Sequence, residues 1–214
     1  DSKFPLHVAA LTGDVDAMTQ LLDGGAAVDH AKGDGTTALF VTCEHGHVDL
    51  VRLLLDKGAE VDRATDDGTT PLIVACEHGH VDAARLLLDK GEDVNRARKD
   101  GQTPLFAACE KGHVDAARLL LERGAENRAD KRGTTPLDIA EGRRQGAVVA
   151  LLEGHFYPLL VATKAGDIDA ITRLLDDGAD PDKAPPNGET SLVVACERGH
   201  VDAAQLLLEK GAEV

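Results

Sequence analysis

The stretch with the most obvious chemical potential is a short run of Cys, Glu and His that occurs twice. CEHGHVD spans residues 43–49 and returns at residues 76–82, 33 residues later. A thiol, a carboxylate and two imidazoles in five positions could bind a metal ion or form a nucleophile with its general base. Catalysis requires one special constellation, so a copy at a fixed interval makes the organisation of the whole chain the first question.

The interval of about 33 residues runs along nearly the whole chain. Glycines mark the repeat, because one occurs at the same position of successive copies. They are Gly35, Gly68, Gly101, Gly133 and, after a break, Gly188. Two of the segments that follow them are TPLIVACEHGHVDAARLLLDKGEDVN and TPLFAACEKGHVDAARLLLERGAEN. Three divergent copies, among them YPLLVATKAGDIDAITRLLDDGADPD, bring the number of copies to seven. Such a period is typical of units that bury their apolar faces against their neighbours.

The local chemistry of each copy predicts a helix, a second helix and a hairpin turn. A Thr such as Thr70 can cap the first helix, Pro71 suits the first helical position, and Gly79 suits a left-handed helix end. The second helix has Asp in its first turn and Lys or Arg in its last, as the helix dipole favours. Asp-Gly or Asn-Gly pairs then signal two-residue hairpin turns at 34–35, 67–68, 100–101 and 187–188.

These copies resemble the ankyrin repeat, whose usual form is G-x-T-P-L-H-x-A-A-x-x-G-H, a leucine-rich helix and G-A-D-V-N. The resemblance covers essentially the whole chain. It implies an all-α fold with short β-hairpin loops, in which helix–turn–helix units stack into an α-solenoid. It also implies a non-catalytic, protein-binding role carried by the hairpin tips and the inner helices.

The four cysteines occupy one phase of the repeat, where the family commonly has Ala. They are Cys43, Cys76, Cys109 and Cys196. Equivalent positions in adjacent repeats are separated by a helix-packing distance of roughly 8–10 Å, whereas a disulfide needs Cα atoms within about 7 Å. We therefore expect buried free thiols that act as small hydrophobes, without disulfides or zinc, and an intracellular, reducing location in the cytoplasm.

The histidines fall into two sets, and neither favours a metal ion, a cofactor or an enzyme. His47, His80, His113 and His200 occupy the Gly-His position, where the family's His ties one repeat to the next. His45 and His78 occupy a variable position that is Lys111 or Arg198 in other copies, which predicts a surface location. The chain also lacks the P-loop, G-x-S-x-G and H-E-x-x-H motifs.

The fifth copy interrupts the regular pattern. It has Arg144-Gln145 in place of Gly-His, and the segment from Leu137 to Leu159 is too short to contain the usual hairpin. We expect residues 1–155 to form a five-repeat array that ends in a cap-like repeat. Residues 156–214 would form two further repeats, either stacked on the first block, which we favour, or as a separate array.

The charge balance excludes some classes of partner. The formal net charge is −15, which would repel nucleic acid and an anionic membrane surface. No apolar run approaches the roughly 20 residues of a membrane span, and the first residues do not have the pattern of a signal peptide. A protein or peptide is therefore the expected partner.

The predicted partner surface consists of hairpin tips and the ends of inner helices, at positions that vary between copies. The hairpin tips change sign along the chain, from acidic in the third repeat to basic in the next two, which predicts an elongated partner with complementary charges. The alternative is an architectural or engineered array with no natural ligand. The missing closing repeat also suggests end-to-end self-association through the C-terminus, or a fragment of a longer array. The predicted contact residues are Thr36, Glu44, His45, Asp66, Asp67, Thr69, Glu77, His78, Arg98, Lys99, Gln102, Glu110, Lys111, Lys131 and Arg132.

Overall fold

A computed structural model describes residues 4–213, which contain fourteen helices and no strand. The all-helical repeat fold expected from the sequence is confirmed. The helices are α1 Pro5–Thr12, α2 Val15–Asp23, α3 Ala38–His45, α4 Val48–Asp56, α5 Pro71–Glu77, α6 Val81–Asp89, α7 Pro104–Lys111, α8 Val114–Glu122, α9 Pro136–Gly142, α10 Gly146–Phe156, α11 Pro158–Ala165, α12 Ile168–Asp176, α13 Ser191–Arg198 and α14 Val201–Glu209.

The chain divides into two compact units, and the division lies between Val148 and Val149, inside α10. In the first unit, the first helix of each pair packs on the equivalent helix of the next pair, as α3 does on α5 and α5 on α7. The second helices pack in a parallel series, α4 on α6 and α6 on α8. In the second unit, α11 packs on α13 and α12 on α14. We call the two series the inner and the outer helices.

The helix boundaries follow from the capping residues predicted from the sequence. The hydroxyl oxygens of Thr37, Thr70 and Thr103 accept hydrogen bonds from backbone N–H groups three residues later, over 3.2, 3.3 and 3.2 Å. Pro71 and Pro104 occupy the first helical position, where no N–H is needed. These bonds satisfy helix donors that would otherwise lack a partner, which explains why each inner helix starts at the same point of the repeat.

The core is built from Leu, Val, Ala and Cys side chains at the interface of successive pairs. In α4, Val51 and Leu54 are fully buried, and Leu55 is nearly so. None of the helices in residues 4–213 is alone long and apolar enough to cross a bilayer; α10 and α11 meet that test only as a pair bent by 112°.

The fifth repeat has lost its hairpin, as the short spacing predicted. Helix α10 continues to Phe156 and α11 begins at Pro158, with only Tyr157 between them. The capping of α9 is more complete than in the other copies, because Asp138 accepts from the Thr135 amide over 2.8 Å while Thr135 caps the helix in return.

Arg144 takes the backbone position that Gly takes in most other copies. Its φ is 59°, and it is the only non-Gly residue with positive φ among the described residues. A side chain in this left-handed region costs about 1 kcal/mol relative to Gly.

Arg144→Gly is expected to raise the free energy of unfolding of the first unit by about 0.5–1 kcal/mol, because it removes this strain. Urea denaturation followed by circular dichroism measures the change. Arg143→Gly is the matched control, since Arg143 has φ −88° and pairs with Glu110 over 2.7 Å. The control variant should not gain stability, and an equal gain in both variants would contradict the explanation.

Candidate functional site

The hairpin tips of the first unit form a row joined by backbone hydrogen bonds. The tip amides of Asp66, Lys99 and Lys131 each donate to a carbonyl oxygen of the preceding tip, over 2.8, 2.9 and 2.9 Å. The accepting carbonyls belong to Asp34, Asp67 and Asp100. These bonds bring Asp66, Lys99 and Lys131 to equivalent places along one edge of the unit.

Each tip is shaped by an aspartate that binds its own loop. Asp34 and Asp67 accept from the backbone amides two residues later, Thr36 and Thr69, over 3.0 Å in both loops. The Asp67 carboxylate also accepts from the Thr65 hydroxyl. Hydrogen bonds from Thr36 lower the pKa of Asp34, and those from Thr65 and Thr69 lower the pKa of Asp67. Both carboxylates are therefore charged at neutral pH.

A cleft of about 360 Å³ opens between the hairpins of the second and third repeats. Carboxylates line its rim, and the half-buried ring of Phe40 lines its inner side. The full lining is Asp34, Thr36, Phe40, Thr65, Asp66, Asp67 and Thr69. The cleft combines negative charge with an aromatic face, which is a suitable environment for an organic cation.

The glutamates at the ends of the inner helices differ in how far they are neutralised. Glu77 lies 3.4 Å from Lys111 and 3.9 Å from Arg98. Glu110 lies 2.7 Å from Arg143. In contrast, the one ion pair of Glu44 within residues 4–213 is with His45, at 3.9 Å. Of Glu44, Glu77 and Glu110, Glu44 is therefore the least compensated.

The basic residues of the tips are also partly compensated. Arg98 binds Gln102 and lies 3.3 Å from Asp100, and Arg132 lies 3.4 Å from Asp130. Lys99 and Lys131 are exposed and form no ion pair in the described residues. Asp66 is likewise exposed and unpaired there. The uncompensated charges of the row therefore run from negative at Asp66 to positive at Lys99 and Lys131.

Two of the predicted contact residues are not on the surface. Thr69 is 6% exposed and Gln102 is 5% exposed. Each is held by its own loop, Thr69 by Asp67 over 2.9 Å and Gln102 by Arg98. The expectation that these two positions lie on the surface is wrong, because each side chain is buried and bound within its own hairpin. Their side chains support the tips, whereas Thr36 remains half-buried beside the cleft.

The paired histidines of the opening motif have different surroundings. His80 Nε2 donates to the Glu44 carbonyl oxygen over 3.1 Å, and His113 binds Glu77 in the same way. The predicted tie between repeats is confirmed at these two positions. His45 and His78 are exposed, and their rings stack on His47 and His80 at 6.0 and 6.1 Å between centroids.

The cysteines divide three to one. All four are free thiols; Cys43, Cys76 and Cys109 are buried, as predicted, while Cys196 is exposed. Burial raises the pKa of the Cys43 and Cys76 thiols, and raises that of Cys109 to about 12, so these thiols are not nucleophiles at neutral pH. The prediction of burial is wrong for Cys196, which lies on α13, whose neighbours are α11 and α14.

Residues 4–213 contain no group of three or more His, Cys, Asp or Glu placed to bind a metal ion.

A ladder of ion pairs between consecutive outer helices was missed by the sequence analysis. The last-turn cations were assigned to the helix dipole, but each also binds the aspartate that stands 34 residues earlier. The pairs are Lys57–Asp23, Lys90–Asp56, Arg123–Asp89 and Lys210–Asp176, at 2.7, 3.1, 2.9 and 2.6 Å. An Asp-Lys pair at the same position of successive repeats was the sequence signal that could have predicted these ion pairs. Because these pairs are exposed, each contributes about 0–1 kcal/mol.

Comparison with known protein families gives matches over most of the chain. A family model described as "Ankyrin repeats (3 copies)" matches residues 6–98 and 151–214. A second model, described as "Ankyrin repeats (many copies)", matches residues 87–140. No curated protein matches the chain.

Proposed function

The chain belongs to the ankyrin repeat family, whose repeats are generally protein–protein interaction modules, and we propose that it is a non-catalytic scaffold for one elongated protein segment. The segment would lie along the hairpin tips and inner-helix ends of the first unit. We also propose an intracellular, cytoplasmic location, which the four free thiols support.

The observation that carries this proposal is the reversal of uncompensated charge along the joined tips. A partner with a Lys or Arg side chain over the second and third repeats would place that cation in the cleft beside Phe40 and Asp66. Acidic groups farther along the same partner would then face Lys99 and Lys131. Such a pattern selects the direction in which the partner binds and raises its association rate more than its final affinity.

Selection of short random peptides displayed on phage, against the immobilised whole chain, tests the proposal. We expect selected peptides to contain Lys or Arg at one end and Asp or Glu toward the other. Asp66→Lys should weaken binding of those peptides about tenfold, because it places a cation beside the incoming cation. Fluorescence anisotropy at low and high salt measures the affinities, and salt should weaken binding to the wild-type chain.

Glu122→Lys is the matched control, since it makes the same change of charge at an exposed position on the outer helix α8. It should leave peptide affinity within about twofold of the wild-type value. Equal losses in the two variants would show that net charge alone attracts the peptides. Failure to select any charge pattern would contradict the proposal and favour the architectural array.

A further inference from the structure

Glu92 is an acidic residue at a position where five of the other copies have a small apolar one. It follows α6, directly after Gly91, and only 5% of its surface is exposed. Five other copies have Ala at the equivalent position: Ala26, Ala59, Ala125, Ala179 and Ala212. The regular repeat therefore does not need a carboxyl group here. The buried carboxyl group of Glu92 is specific to the third repeat.

The Glu92 carboxyl group has fewer hydrogen bonds than its oxygens can accept. Oε1 accepts from the Leu72 amide at the start of α5 over 3.2 Å, and the Thr70 hydroxyl also bonds the carboxyl group. Oε2 is buried and has no hydrogen-bond partner among residues 4–213. A buried carboxylate with an unpartnered oxygen is costly, whereas a protonated carboxyl group carries no charge to stabilise.

In the part of the chain that the structure describes, no unpaired cation lies near Glu92 to compensate its charge. Among the charged groups that face it, Asp62 in the preceding loop is repulsive, and Arg96 in its own loop is bound to that same Asp62. The titratable groups from the inner helices are the thiols of Cys43 on α3 and Cys76 on α5. Their pKa values are raised by burial, so both thiols remain neutral around pH 7.

We propose that Glu92 makes the stability of the first unit depend on pH: it keeps its proton in the folded chain at neutral pH, and loss of that proton weakens the packing of the third repeat on the second. The proton passes to solvent, and the charge is left between α5 and the loop that contains Asp62. This inference does not depend on the proposed partner surface.

The direction of the pH dependence follows from proton linkage. Burial raises the pKa of Glu92 from the ordinary 4.5 to about 8. Between those values the folded chain holds a proton that the unfolded chain has lost, so stability falls as pH rises. Below the ordinary value both states are protonated and above about 8 both are ionised, so the dependence levels off at each end.

Urea denaturation of the whole chain across a pH series tests the inference, with Glu92→Gln as the variant that cannot ionise. We expect the folding equilibrium constant of Glu92→Gln, relative to wild type, to rise by about 100- to 1000-fold between about pH 5 and about pH 9, as a pKa shift from 4.5 to about 8 requires. Glu60→Gln is the matched control, since Glu60 lies in the equivalent loop of the second repeat and is exposed. Its ratio to wild type should stay constant over the same range.

Carbon NMR of the side-chain carboxyl groups in the wild-type chain gives a second measurement that does not depend on how the variant folds. We expect one glutamate to titrate near pH 8, and to be assigned to Glu92 through its absence in Glu92→Ala. A ratio that does not change with pH, or titration of Glu92 in the ordinary range of carboxyl groups, would overturn the inference.

Discussion

Leu207→Ala is expected to lower the free energy of unfolding of the second unit by about 3–5 kcal/mol, while Leu208→Ala should change it by less than about 0.5 kcal/mol. The two leucines are adjacent in α14. Leu207 is fully buried, whereas Leu208 is 47% exposed. The pair therefore separates the effect of burial from that of composition and helix propensity.

The large effect at Leu207 follows from its place in a small core. It packs in a cluster with residues of α11, α12 and α13. Its truncation to Ala therefore leaves a cavity that these three helices cannot easily move to fill. The loss then includes both the transfer of the side chain to water and the cavity itself. The cluster comprises Leu159, Ala162, Ile171, Leu175, Leu192, Ala195, Ala203, Leu207 and Ala212.

Amide hydrogen exchange resolved along the chain measures this effect in the second unit separately from the first. Protection of the amides in α12 and α14 should fall strongly in Leu207→Ala and remain near wild type in Leu208→Ala. Similar losses in the two variants would contradict the position of α14 in this core.

The repeating parts of the fold could be predicted because they are set by short-range chemistry. Thr70 and Thr103 bind backbone groups three residues away, and glycines such as Gly79 end helices in a conformation that few other residues accept. Such interactions need only a few neighbouring residues, so the same short sequence forms the same structure in each copy. The missing hairpin after α10 could be predicted for the same reason, from chain length alone.

Most of the features that sequence reasoning missed depend on contacts that form only in the folded chain. Cys196 shares the local sequence VACE with Cys76, but a cysteine is buried only where neighbouring helices cover it on both sides. Thr69 and Gln102 look like exposed polar residues, yet both are buried and bound within the folded hairpins, to Asp67 and Arg98. The free charges of the candidate site were also overestimated, because folding brings Arg98 to 3.9 Å from Glu77, which lies 21 residues earlier. Arg132 pairs with Asp130, two residues away in its own loop, and this pair could have been predicted from the local sequence.

Gly79→Ala is expected to lower the free energy of unfolding of the first unit by about 3 kcal/mol. Gly79 has φ +73°, where an Ala costs about 1–2 kcal/mol. A Cβ atom there would also lie 2.6 Å from Nδ1 of His113, so the imidazole would have to move. Its hydrogen bond to the Glu77 carbonyl oxygen, worth about 1 kcal/mol, would then be lost.

Gly58→Ala isolates the backbone part of this cost. Gly58 has φ +87°, but an added Cβ would have no atom within 4 Å. Its substitution should therefore cost only the strain of about 1–2 kcal/mol. Urea denaturation followed by circular dichroism gives both values, and the difference between them measures the contact between Gly79 and His113.

The double variant Gly79→Ala/His113→Ala tests whether the imidazole is the cause. If His113 must be displaced by the new Cβ, its removal abolishes the clash, and the double variant should lose less stability than the two single variants added together. The expected coupling is about 1–2 kcal/mol, since the hydrogen bond to Glu77 can be lost only once. Strict additivity would show that Gly79 is needed for its backbone conformation alone, and that the close approach of successive repeats at this point does not depend on the Gly-His pair.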